Sequence, residues 1–217
     1  MARKAVDEAR RSGSGIALSL SLHSLSKGLY FLATREGSQS GKKSMLAEAL
    51  ETRKESIEKA HEATPFFQWN LGVFHSYLAL ILEELAEADP ERSFQLLSDA
   101  ARNMEKCIEF CQKGGSAIPE EQTAPIAWYL SWYGDILGKL YSKNRQAHLL
   151  EQARSVFEEA AAIYEKLGTL GNVARMKWQA ARTFEESGEL SKAADTFEQA
   201  SRSFELAAGK TPTLSQV

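Results

Sequence analysis

Cysteine, proline and an excess of either charge are all scarce in this sequence of 217 residues. Its two cysteines are too few for a disulfide framework. Its five prolines favour long helices over a loop-rich or all-β chain. The 26 Lys and Arg residues face 29 Asp and Glu residues, and the resulting net charge of −3 argues against a general nucleic-acid-binding surface. A chain of this length buries a sizeable core without covalent links.

Long hydrophobic runs are missing as well. No stretch of about 18 consecutive apolar residues occurs, so the sequence predicts no membrane span. The basic N-terminus ahead of Ile16 loosely resembles a signal peptide, but Asp7 and Glu8 interrupt the basic region and no A-x-A-like cleavage site follows. We therefore predict that this segment is a helix of the fold and that the protein is cytoplasmic. Cys107 and Cys111 are expected to be reduced, buried thiols on one helix face.

The sequence also lacks the common catalytic motifs. It contains no G-x-S-x-G, H-E-x-x-H or C-x-x-C motif and no Gly-rich phosphate loop after a strand. The four histidines lie on different predicted helices at no metal-ligand spacing, and His75 is expected to be a packed or hydrogen-bonded core residue. We predict no enzyme activity, no cofactor and no metal. The rival hypothesis, a helical enzyme or metalloprotein, requires Cys107, Cys111 and a histidine to converge on a metal ion.

Helical periodicity is what the sequence does contain. Gly- and Pro-containing breakers separate segments of about 17–25 residues with apolar residues at i, i+3, i+4 and i+7. An aromatic-rich helix, the "first helix", is followed four times by an Ala- and Glu-rich "second helix". The sequence thus predicts an all-α fold of four antiparallel hairpins at about 15–63, 66–113, 123–167 and 171–208. We expect an N-terminal helix 2–11 as a cap or remnant, a single domain over 1–210 and a flexible tail at 211–217.

Each type of helix repeats its own spacing of small and large residues. The second helices carry a small-x-x-x-large-x-x-small pattern: Ala100–Met104–Cys107, Ala153–Phe157–Ala160 and Ala193–Phe197–Ala200. The first helices carry a Trp three residues before a small residue: Trp69 and Gly72, Trp128 and Ser131, Trp178 and Ala181. Small residues let helix axes approach closely while the large residue fills the gap beside them. These patterns predict hairpins that stack on one another.

A family resemblance follows from the segment 184–200. Its Gly188, Leu190, Ala193, Phe197 and Ala200 fall at the spacing of a tetratricopeptide repeat, which this segment resembles. The earlier repeats match only in their second helices, and their longer hairpins are similar to those of soluble NSF-attachment proteins and of tetratricopeptide-like sensor domains. The resemblance implies a right-handed superhelix, or solenoid. Its concave groove, lined by first helices, would bind a peptide, a helix or a small ligand.

The tryptophans are the candidate binding residues, and two interpretations of them stay open. In the first they fill the core between hairpins. In the second, Ala181 is the close-packing position, so that Trp178 turns to the groove between Arg175 and Arg182 at i, i+3 and i+7. An aromatic ring flanked by two guanidinium groups suits a partner that carries carboxylates. The candidate groove residues are Trp69, Trp128, Trp132, Arg175, Trp178 and Arg182.

Charge is distributed unevenly along the chain. Residues 1–60 contain 11 basic and 7 acidic side chains, a net charge of +4, which leaves −7 for the remainder. Lys42, Lys43, Arg53 and Lys54 would suit an acidic partner or lipid headgroups by weak peripheral contact. The alternative is that these residues belong to solvated helix faces.

The predicted function is a non-catalytic scaffold or adaptor that binds an acidic protein or peptide in the groove. The expected partners include no nucleic acid, and self-association through the end faces of the array is a further expectation. The alternative function is a ligand- or signal-peptide-sensing domain of a regulatory protein. A deep apolar pocket centred on the tryptophans would favour that alternative.

Overall fold

The computed structural model describes residues 1–63, 68–114 and 123–209. Within these ranges the chain forms nine α-helices and no strand, which confirms the all-α, helical-repeat fold class. The remaining residues, including the predicted tail 211–217, lie outside the described part. The helices are α1 Ala2–Ser12, α2 Gly15–Ala33, α3 Gln39–Ala63, α4 Gln68–Ala88, α5 Ser93–Gly114, α6 Ala124–Asn144, α7 Ala147–Lys166, α8 Leu170–Glu186 and α9 Leu190–Gly209.

The helices pair in the predicted order, with α2, α4, α6 and α8 as first helices and α3, α5, α7 and α9 as second helices. The sequence predicts the two helices of the first hairpin at about 15–36 and 43–63, whereas α2 ends at Ala33 and α3 begins at Gln39. Asp can cap a helix and proline fits its first position, so Asp89-Pro90 predicts an α-helix that begins at Pro90. In the structure Pro90 instead opens a 3₁₀ turn, Pro90–Arg92, and α5 begins at Ser93. The turns before α8 and α9 contain Gly168 and Gly188, whose positive φ angles favour glycine.

The chain divides into two compact units, Met1–Ala117 and Ile118–Val217. The first unit contains α1 to α5, and the second unit contains α6 to α9. In the first unit α1 packs against α2, and its Arg3 and Arg10 pair with Glu48 and Glu55 of α3 at 2.7 and 2.8 Å. In the second unit α7 packs against both α6 and α8, and α8 packs against α9. The single domain over 1–210 stays a prediction.

Small residues lie where the paired helices come closest. In the first hairpin the hydroxyls of Ser19 and Ser56 each donate to the other residue's carbonyl oxygen at 2.8 Å. In the third hairpin a Cβ added to Gly134 would lie 2.6 Å from the ring of Phe157. The small and large residues of the repeated pattern on α5 and α7 are all buried: Ala100, Met104, Cys107, Ala153, Phe157 and Ala160. This close contact between helices is the packing that the repeated spacing predicts.

One helix among the described residues, α2, is long and apolar enough to cross a membrane by length and composition alone. In the structure α2 is a hairpin helix that contacts α1, α3 and α4. Its Ser19 and Ser26 hydroxyls donate to carbonyl oxygens of α3, so its polar side chains are used for helix packing.

Candidate partner-binding surface

In the second unit the two first helices, α6 and α8, lie side by side. The side-chain amide of Gln179 donates to Asp135 at 2.9 Å, and the hydroxyl of Tyr141 reaches the carbonyl oxygen of Glu186 at 3.4 Å. The first bond joins residues 44 positions apart and the second joins residues 45 positions apart. Later residues of α6 therefore lie beside later residues of α8, and the two helices run parallel. The solvent-facing side chains of α6 and α8 beside these two bonds are called here the α6–α8 face.

The α6–α8 face carries two exposed tryptophans. Trp128 is 47% exposed on α6, and Trp178 is 41% exposed on α8. Trp128 and Trp132 lie at i and i+4, on the stripe that ends at Asp135, and their ring centroids are 5.2 Å apart. Trp132 is half-buried. Core filling therefore does not describe Trp128 or Trp178, whose rings reach solvent.

Arg175, Trp178 and Arg182 share the outward stripe of α8, and all three are exposed. Ala181 is fully buried, as the predicted helix register requires. The guanidinium carbon of Arg182 lies 5.3 Å from the centroid of the Trp178 ring, and its Nη2 donates to Glu186 at 3.4 Å.

Arg175 also interacts with α7, where its guanidinium lies near the buried hydroxyl of Tyr164. Burial raises the pKa of Tyr164, and Arg175 partly opposes that rise. Arg175 is thus less free to meet a partner than Arg182, whose side chain is held only by a ring and an exposed carboxylate.

Trp69, the remaining candidate groove residue, lies on α4 in the first unit and is half-buried. The backbone of α5 approaches it closely, because a Cβ on Gly114 would lie 3.0 Å from the Trp69 amide nitrogen. Five of the six candidate residues therefore lie on α6 and α8 of the second unit. Trp69 belongs to a different unit.

The basic residues of the first unit do not form the patch that the sequence suggested. Lys42 pairs with Glu84 and Lys43 with Asp89, each at 2.8 Å, and Lys54 pairs with Glu51 of its own helix. Arg53 is fully buried. The prediction that Arg53 belongs to a solvent-facing basic patch is wrong, because its side chain extends into the helix packing of the first unit.

Arg53 instead belongs to a cation–aromatic cluster that sequence reasoning missed. The cluster consists of His23 and Lys27 on α2, Arg53 on α3, and Phe74 and Tyr77 on α4. A signal for it was present in the sequence. Ala49, Arg53 and Ser56 have the small-x-x-x-large-x-x-small spacing of the other second helices. That spacing assigns Arg53 to a buried position.

The cysteines and His75 occupy the core of the second hairpin. Cys107 and Cys111 are free thiols and fully buried, as expected, and burial raises the pKa of Cys107 strongly. The Nδ1 atom of His75 lies 2.8 Å from Asn103 Oδ1, and its ring stacks on Phe110. His75 is thus the hydrogen-bonded core residue that its helix predicted. Within the described ranges no three His, Cys, Asp or Glu residues converge on a possible metal site.

A groove with a cavity volume of about 440 Å³ lies between α7, α8 and α9 of the second unit. Its floor is apolar, and Glu158, Lys177 and Lys192 are among the charged residues that line it. The side chains of the floor are Phe157, Ala161, Met176, Ala180 and Phe184. No tryptophan lines this groove, so it is not the tryptophan-centred pocket that would favour a ligand sensor.

The paired helices of the fold define a helical-repeat protein, and comparisons with known proteins support that class. The "DHF58 filament" has a TM-score of 0.51 and 19% identity, covering 90% of this chain and 96% of that one. A "circular tandem repeat protein with novel repeat topology and enhanced subunit contact surfaces" has a TM-score of 0.50 and 18% identity, covering 96% of this chain and 51% of that one. At these identities the likeness concerns the fold alone. No protein-family model and no curated protein matches the sequence.

Proposed function

We propose that this chain is a non-catalytic interaction module that binds an acidic peptide or helix on the α6–α8 face. The observation that carries the proposal is the stacked pair of Trp178 and Arg182, exposed on the same face as Trp128 and Trp132. The resemblance of the segment 184–200 to a tetratricopeptide repeat supports the same proposal, since first helices line the binding groove in that family.

Arg182 is available to a partner at low cost. Its present partner, Glu186, lies four residues away on the same exposed helix face. Such pairs stabilise a helix by only about 0.3–0.5 kcal/mol. A carboxylate from a partner would replace Glu186 and gain bidentate hydrogen bonds while the Trp178 ring holds the guanidinium in place. Trp128 and Trp132 would bury apolar side chains next to the acidic residue, and contacts of this type often dominate binding energy.

The test is a fluorescence screen of the native protein against a library of acidic peptides. Binding on the α6–α8 face should shift tryptophan emission and reduce acrylamide quenching, because Trp128 and Trp178 lose contact with solvent. Arg182→Ala and Trp178→Ala should each weaken the best peptide by about tenfold or more, as expected for an interface hot spot. Arg202→Ala is the matched control, because Arg202 also pairs with a glutamate four residues away, on α9.

Two results would count against the proposal. In one, no acidic peptide changes the emission of the native protein. In the other, Arg202→Ala weakens binding as much as Arg182→Ala, which would indicate attraction by net charge without a defined site.

A further inference from the structure

Arg53 is a charged residue at a core position of the repeat. On α3 it occupies the large position of the repeated pattern, where α5 has Met104 and α7 has Phe157. All three side chains are buried, and Arg53 is 0% exposed. Arginine is almost never fully buried without a paired acidic group. Close packing alone would be satisfied by an apolar residue, as it is in α5 and α7.

The surroundings of Arg53 provide hydrogen bonds and aromatic rings. Its Nη1 is hydrogen-bonded to Nδ1 of His23, and its Nη2 donates to the His23 carbonyl oxygen at 3.2 Å. The guanidinium carbon lies 5.6 Å from the ring centroid of Phe74 and 5.3 Å from that of Tyr77. These contacts fix the plane of the guanidinium group.

No acidic group neutralises Arg53 within the part of the chain that the structure describes. Its Nε–H has no hydrogen-bond partner there. Burial lowers the pKa of Arg53 to about 9, and no carboxylate acts against that shift. Arg53 therefore remains charged at neutral pH. An unpaired buried charge of this kind is costly, and a carboxylate that pairs with it recovers part of the cost.

A second positive charge lies near Arg53. The Nζ atom of Lys27 lies 5.3 Å from the centroid of the Tyr77 ring, whose surroundings also include Arg53. His23 cannot add or remove charge near neutral pH, because burial, reinforced by Arg53 and Lys27, lowers its pKa to about 3. Glu84 on α4, about two turns beyond Tyr77, pairs with Lys42.

We propose that His23, Lys27, Arg53 and Tyr77 form a binding site for one carboxylate group of an acidic protein partner. The Nε–H of Arg53 and a neighbouring Nη hydrogen form the parallel pair of donors that fits the two oxygens of a carboxylate. Lys27 adds a second positive charge that attracts the carboxylate. His23, Lys27 and Tyr77 are half-buried, and these side chains would have to rotate to bring a carboxylate to the buried Nε–H.

This site lies in the first unit and does not depend on the α6–α8 face of the second unit. Variants that test it leave Trp178 and Arg182 unchanged. Failure of one proposal is therefore distinguishable from failure of the other.

The first test follows the Arg53 Nε–H resonance by ¹H–¹⁵N NMR while sodium glutarate is added at constant ionic strength. The expected result is a saturable shift of this resonance that inorganic phosphate, as the second probe, does not reproduce. Lys27→Gln should weaken glutarate about two- to fivefold, the effect of losing one partly screened charge. Lys54→Gln removes the same charge from the exposed side of α3 and should leave the affinity unchanged.

Each other outcome overturns the proposal. If glutarate gives no saturable shift, there is no carboxylate site. If phosphate binds equally well, the site is not specific for carboxylates. If Lys54→Gln weakens glutarate as much as Lys27→Gln, the effect is general charge attraction.

A second variant separates binding from folding. Arg53→Met places on α3 the residue that α5 carries at the equivalent position, so we expect a Tm equal to or above that of the original protein. Glutarate should raise the Tm of the original protein but not that of Arg53→Met. A lowered Tm combined with an undiminished response to glutarate would show that Arg53 is only a structural residue.

Discussion

Gly72 on α4 lies against the helix that follows it. A Cβ at this position would lie 2.4 Å from the Sγ of Cys111 and 2.9 Å from the carbonyl oxygen of Cys107. We expect Gly72→Ala to lower the free energy of unfolding by about 1–3 kcal/mol, the usual cost of overpacking a close helix contact. Urea unfolding at neutral pH measures this difference.

Gly138 on α6 is the matched control for Gly72, because a Cβ there would meet nothing within 4 Å. Gly138→Ala should leave stability unchanged or raise it by up to about 1 kcal/mol, since alanine favours the helix. If both substitutions destabilise the protein equally, the close contact with α5 does not explain why position 72 is a glycine.

The two cysteine thiols lie in the core and are shielded from solvent. Cys107 and Cys111 are fully buried, and burial together with the hydrogen bond to Cys111 raises the pKa of Cys107. The reactive species of a cysteine is its thiolate. We therefore expect the native protein to react with a thiol reagent such as Ellman's reagent at pH 8 no faster than it unfolds. Full reaction of both thiols is expected in urea, and rapid reaction without denaturant would contradict the burial.

At the scale of the element, α7 and α9 have the same repeated pattern but different packing. Phe157 on α7 is 3% exposed, whereas Phe197 at the equivalent position of α9 is half-buried. The reason is that α7 contacts helices on both sides, α6 and α8, whereas within the described residues α9 packs mainly against α8. Leu190 and Phe204 of α9 are also exposed.

This difference predicts unequal costs for the same substitution. Phe157→Ala should destabilise the second unit by about 3–5 kcal/mol, the range for removing a buried aromatic side chain. Phe197→Ala should cost roughly half as much or less, because less apolar surface leaves the core. Chemical denaturation of both variants checks the ratio. Similar costs would indicate that α9 is as well packed as α7.

The sequence predicted the helices better than it predicted the candidate sites. Apolar periodicity and breakers are local signals, so the hairpins and their order were predictable. The burial of Arg53 was present in the repeated pattern, but the hypothesis of a basic patch relied on its charge instead. The α6–α8 face depends on two helices that are not consecutive. Their bonds, from Gln179 to Asp135 and from Tyr141 to Glu186, have no local sequence signal.

The same limit applies to Trp69. Its three-residue spacing to Gly72 matches that of Trp128 to Ser131 and of Trp178 to Ala181. This match led to the prediction that the three tryptophans line one groove. Repeat equivalence gives the position of a residue within its hairpin. It does not give the unit to which the hairpin belongs, and the contacts of the folded chain assign Trp69 to the first unit.

At the scale of the whole molecule, we expect the two units to differ in their sensitivity to acid. The first unit contains the two histidines whose pKa values are lowered by burial, His23 to about 3 and His75 to about 4. Both are neutral when folded and gain protons more readily when unfolded, where the ordinary pKa is about 6.5. Their contribution to stability is therefore complete above about pH 6.5 and is lost progressively as the pH falls towards 4 or 3.

We expect the first unit to lose stability between pH 7 and pH 5, and His75 gives the clearest test. Replacing His75 by Phe keeps a ring against Phe110 but removes the titrating group, so the fall in unfolding free energy over this range should be smaller by about 2 kcal/mol. Exposed His148 of the second unit provides the control, and His148→Gln should leave the fall unchanged.

Because the chain has two units, urea unfolding at each pH needs probes in both units, such as hydrogen exchange resolved by peptide. The acid-dependent loss should appear in peptides from residues 1–63 and 68–114. An equal loss in peptides from 123–209, or the same fall in His75→Phe as in the original protein, would show that acid acts through other groups.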